Sequence, residues 1–84
     1  MHRAIDCEAT ITFEDGETFS ALADISFRYA VYGWVGTGTL LSTDAGKMVL
    51  KEGYAILECH GCRIHIVIVA PVTEDTIKVL TPGS

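Results

Sequence analysis

The sequence predicts a small all-β domain, an antiparallel meander of about six to seven short strands forming a barrel or sandwich. Three observations predict it. Turn-forming segments recur at short spacing: EDGE at 14–17, DAGK at 44–47, EG at 52–53, HG at 60–61 and VTED at 72–75. The runs between them are rich in β-branched and aromatic residues, which fit a pleated, half-buried surface. Two of those runs carry apolar residues at every second position, the period of a strand with one buried face.

The first hairpin follows from phase. Ile5, Cys7, Ala9, Ile11 and Phe13 alternate, and so do Phe19, Ala21, Ala23, Ile25, Phe27 and Tyr29. Both sets must face one core. A two-residue loop at Asp15-Gly16 would pair Ile11 with Ser20 and put the faces out of phase. A three-residue loop, Glu14-Asp15-Gly16, pairs Phe13 with Glu17 and Ile11 with Phe19. It predicts a type I turn and bulge with Gly16 at positive φ. A helical stripe through Leu22, Ile25, Tyr29 and Tyr32 leaves Phe19 and Phe27 unexplained, so the strand is preferred.

Residues 30–43, AVYGWVGTGTLLST, place Gly33, Gly36 and Gly38 in a strand pattern. They predict bends or close approach of a neighbouring backbone. No lysine or helix start follows them, so a phosphate cradle lacks support. The second hairpin spans 54–69 and turns at His60-Gly61. It sets Cys59 opposite Cys62, Glu58 opposite Arg63, Leu57 opposite Ile64 and Ile56 opposite His65. One face reads Ala55, Leu57, Cys59, Cys62, Ile64, Ile66, Ile68. The other reads Tyr54, Ile56, Glu58, Arg63, His65, Val67, Val69, with Glu58–Arg63 a cross-strand ion pair. Residues 76–81 form a last strand.

With 84 residues, the chain is expected to be a single domain over 1–84. Yet 49% of the residues are apolar, rich for a globule whose residues lie mostly near the surface. A homo-oligomer, a dimer above all, is therefore expected, with Tyr54, Ile56, Val67 and Val69 as the candidate contact. The charge is acidic, 6 Lys+Arg against 11 Asp+Glu and net −5. Bases are scattered, which argues against nucleic acid and anionic membranes as partners. The start MHRAIDCEAT lacks an apolar signal core, and no apolar run is long enough to span a bilayer. The expected compartment is the cytoplasm.

Cys59-His60-Gly61-Cys62 is a C-x-x-C at a hairpin tip, a spacing that lets two thiolates reach one zinc ion, with Cys7 and a histidine (His2, His60 or His65) as further candidates. The same cysteines end an apolar face, where buried cysteine acts as a small hydrophobe. Apolar packing without a cofactor is the preferred reading, with zinc and thiol redox chemistry as alternatives. Redox motifs of this spacing open a helix, and here strands flank it. Trp34 and Tyr32, with Arg28, sit beside the glycines and are the candidate small-ligand residues; core or interface packing is their competing role. No serine or histidine set forms a nucleophile with its base, and the expectation is no enzyme.

Several segments together resemble PilZ-like β-barrels. They are Phe27-Arg28-Tyr29, Gly36-x-Gly38 before Leu40, the turn 43–46 before Met48-Val49-Leu50, and Arg63-Ile64-His65-Ile66 leading to Ala70-Pro71-Val72. Asp24-Ile25-Ser26 is similar to that family's D-x-S element. The resemblance implies a barrel that binds cyclic di-GMP through R-x-x-x-R and D-x-S-x-x-G. Here Cys7 stands where the second arginine would follow Arg3, and Tyr29 stands in the glycine place. The resemblance therefore implies a degenerate regulatory member, a module for protein interaction or dimerisation. Binding of a small ligand or cyclic dinucleotide is the alternative.

Overall fold

The computed structural model describes residues 2–31, 33–51 and 54–81, with the side chains of 2, 3 and 34 left aside. Its elements are β1 (His2–Phe13), β2 (Thr18–Ala30), β3 (Gly33–Leu41), α1 (Ala45–Met48), β4 (Tyr54–Cys59), β5 (Cys62–Pro71) and β6 (Thr76–Thr81). The six strands close into an antiparallel barrel in the order β1-β2-β3-β6-β5-β4. The chain is thus two three-stranded meanders rather than one. The step from β3 to β4 passes through α1, so β4 pairs with β1 and β3 with β6.

Both predicted hairpins form in the predicted register. Gly16 N–H donates to Phe13 O and Phe13 N–H to Glu17 O, each at 2.9 Å, with Gly16 at φ 88° and Ile11 opposite Phe19. The second turn has His60 at φ 49° and Gly61 at φ 80°, both left-handed, as a two-residue turn matched to strand twist requires. Cys59 pairs Cys62 and Glu58 pairs Arg63, whose Nε lies 3.6 Å from Oε1 of Glu58.

The barrel interior holds Ala9, Ile11, Phe13, Phe19, Ala21, Ala23, Ile25, Leu40, Ala55, Leu57, Ile66, Ile77 and Val79. Small residues let so narrow a barrel close around the larger ones. Two members of the predicted core faces lie outside it. Tyr29 is 69% exposed because β2 runs past the barrel wall, and Cys62 is exposed because β5 begins at the rim. A Cβ on Gly38 would run into the β2 backbone at Asp24 and Ile25, and one on Gly36 into the side chains of Thr81 and Phe27.

The two ends differ. At one end, 44–47 is not a plain turn but opens a one-turn helix, which buries Ala45 and Met48 as a plug. Ser42 ties this crossing to β2: its hydroxyl donates to Ser20 O at 2.8 Å and accepts from Asp44 N–H at 3.1 Å. Lys51 Nζ reaches Asp15 at 2.5 Å and Glu17 at 2.6 Å across the first turn. It also lies 5.7 and 6.0 Å from the ring centroids of Phe13 and Phe19, which pack edge to face. The other end carries the His60-Gly61 turn, the start of β1 and the end of β6. Among the described residues no helix is long and apolar enough to cross a membrane.

Candidate functional site

The strand alternation that buries one face of each strand leaves the other on the barrel's outside. Charge on that outer face is uneven. Asp6, Glu8 and Asp24 project from β1 and β2. On β4, β5 and β6 the ladder sets Tyr54 beside Val67 and Val67 beside Leu80. The row continues through Thr37, Ser26 and Ala4 without a charged residue. Ile56 adjoins Tyr54 one outward position along β4. Val69 lies at a bulge in β5 between Ile68 and Ala70, where two residues take the place of one.

Tyr54, Val69 and Leu80 are exposed, while Ile56 and Val67 are half-buried. The four residues expected at a contact therefore share one patch, and Leu80 joins them. That residue was missed because its place depends on which strand pairs with the last one. Alternation in Thr76–Thr81 does put Leu80 on the outer side with Lys78, and that was the available signal.

The three cysteines also come together. Cys59 and Cys62 are ladder partners at the hairpin tip. The β1–β4 ladder ends at Thr10 and Glu58, so the tip lies beside β1 without joining its ladder. Ala4, Ile5, Asp6, Cys7, Cys59, His60 and Cys62 line a cavity of about 220 Å³ there. All three cysteines are thiols; Cys59 is buried, Cys7 half-buried and Cys62 exposed. A hydrogen bond with Cys7, then burial, then the nearby Cys7 and Cys62 sulfurs push the Cys59 thiol up to about 11. Among the described residues no three His, Cys, Asp or Glu side chains are arranged to hold a metal ion. His65 lies farther along β5, opposite Ile56, and the His2 side chain is outside the described residues.

Of the candidate ligand residues, only Arg28 can be placed in full. It is exposed on β2 opposite Val35 and lines a groove of about 360 Å³ with Ser26, Phe27, Val35 and Thr37. Trp34 pairs with Tyr29 in the β2–β3 ladder, but its side chain, like all of Tyr32, lies outside the described residues. At the same end, Thr81 Oγ1 is buried without a hydrogen-bond partner among the described residues.

The fold and surface define a small closed six-stranded antiparallel β-barrel with an apolar outer patch and a thiol-lined rim. Comparison with known protein families, curated proteins and solved structures finds no match for this chain.

Proposed function

We propose that this protein is a non-enzymatic barrel module that acts by binding a second copy of itself through the patch of Tyr54, Ile56, Val67, Val69 and Leu80. The supporting observation is the uncharged row through Tyr54, Val67 and Leu80 on a chain of net charge −5. Two copies of an acidic protein repel, so self-contact requires a surface free of like charge. A twofold contact also requires one patch to complement itself, which an uncharged row of side chains standing off a sheet can do. The test is sedimentation equilibrium of the wild type beside Tyr54→Lys/Leu80→Lys. The wild type should be a dimer at tens of micromolar, and the variant a folded monomer. A wild type that stays monomeric throughout that range overturns the reading.

A second reading has its own support in the groove at Arg28. A guanidinium beside an apolar wall suits a phosphate-bearing ring ligand, and the PilZ-like resemblance points to a cyclic dinucleotide. Calorimetric titration with cyclic di-GMP tests it. Heat that disappears in Arg28→Ala supports it, and no heat at tens of micromolar retires it.

A further inference from the structure

We propose that the rim of the barrel at the His60-Gly61 turn is a thiol–disulfide exchange site, in which Cys62 takes a small organic disulfide and Cys59 resolves it into a reversible Cys59–Cys62 bond. The geometry comes from the hairpin. Directly opposed residues of an antiparallel ladder have α-carbons about 4.5–5.5 Å apart, within the span a disulfide bridges. Cys59 and Cys62 are such partners, and cross-strand partners project to the same face. Exposure divides the roles: Cys62 is open to solvent at the rim, and Cys59 is 8% exposed behind it. The cavity beside them gives an incoming disulfide room against Ala4, Ile5 and Asp6 of β1.

The exchange balances without another reagent. The Cys62 thiolate attacks one sulfur of the disulfide RSSR, forming a mixed disulfide and expelling RS⁻, which takes up a proton. Cys59 then gives its proton to solvent and attacks Cys62 Sγ, which breaks the mixed bond and releases a second RS⁻. Two protein thiols are oxidised, and one RSSR is reduced to two RSH. Cys59 holds its proton up to about 11, so it does not begin the reaction. Proximity raises the effective concentration of Cys59 at the mixed disulfide.

The product is suited to reversal. It closes a loop already held by a two-residue turn, so it removes little freedom from the unfolded chain and stabilises the fold little. Its Cys62 sulfur stands open to an incoming thiol, and accessible disulfides are the readily reduced ones.

The test incubates reduced full chain, at dilute concentration, with oxidised glutathione, followed by intact mass and peptide mapping. The expected wild-type product has lost two hydrogens, retains no adduct and maps to Cys59–Cys62. Cys59→Ala should keep a glutathione adduct at Cys62, and Cys62→Ser should react about tenfold slower or worse. A lasting adduct on the wild type, a bond mapped to Cys7 or between chains, or a Cys62→Ser variant oxidised at the wild-type rate each overturns the proposal. If Cys59→Ala fails to fold, wild-type mapping still decides the pairing.

Discussion

Gly38 and Ile25 are ladder partners whose backbones meet with no room for a side chain: a Cβ on Gly38 would lie 2.6 Å from Ile25 Cα and against the Asp24 carbonyl. The obstacle is backbone, which cannot swing aside as a side chain could. Gly38→Ala must therefore push β3 away from β2. It should cost about 1–3 kcal/mol or more, the usual penalty for overpacking. Urea denaturation read as a lowered midpoint checks this; an unchanged midpoint would mean the strands separate freely.

Gly61 presents the opposite case. Nothing lies within 4 Å of a Cβ built there, so only its φ of 80° resists substitution. Gly61→Ala should cost about 1–2 kcal/mol through the left-handed backbone alone. His60 takes the same conformation less readily than asparagine, so His60→Asn should raise the melting temperature slightly. The pair of melting curves separates this conformational effect from any packing role of His60.

Met48 plugs the barrel from a helix of one turn that has no capping side chain of its own. Such a helix persists because its buried face is held, not through propensity. Met48→Ala should cost about 2–5 kcal/mol and loosen the crossing with it. Hydrogen exchange over 44–50 should rise toward that of free loops, while amides of β1 and β2 keep their order of protection.

Lys51 clamps the first turn from the far side of the same crossing. The hydrogen bonds it donates to Asp15, then Glu17, raise its pKa, and Asp15 is lowered chiefly by the hydrogen bond it accepts from Lys51. The signs set a pH window. The Asp15 share is present above the ordinary carboxylate range near about 4 and is lost as pH falls through its lowered value. The Lys51 share is present below the ordinary lysine value of about 10.4 and is lost as pH rises through the raised one. Lys51→Met keeps the stem over Phe13 and Phe19 and removes the charge. Its melting temperature should fall below wild type by a constant amount between those limits, converge with it outside them, and differ less in high salt. A gap independent of both pH and salt would leave the clamp without effect.

How much of this was legible in the sequence depended on range. The first hairpin could be read because the two alternating apolar runs fall out of phase across a two-residue loop and in phase across a three-residue one, and Gly16 supplies the positive φ. The second could be read from His60-Gly61. Longer-range features could not. Cys7 meets Cys59 because β4 returns to β1, and alternation within either strand says nothing of which strands adjoin. Leu80 entered the outer patch for the same reason. Tyr29 continues a buried pattern, but the strand outruns the core, and alternation does not report where a barrel wall stops. The helical turn at Ala45–Met48 is shorter than any helical period can reveal. Of the ligand residues inferred from Trp34 and its neighbours, only Arg28 lies wholly within the described residues.

The division into two meanders bears on how the chain folds. Within β1–β2–β3 and within β4–β5–β6, each strand meets the next across a short connection. Hairpins of this kind form in roughly microseconds. The seams β1–β4 and β3–β6 instead join residues as distant in sequence as Thr10 and Glu58. Either half alone would present two open edges and half a core, so neither is a resting place. Forming the seams is thus the slow, concerted event, in which loop-closure entropy is met before the long-range contacts repay it. The barrel should assemble in one cooperative step, with its rate governed by residues at the seams and not by its two well-formed turns.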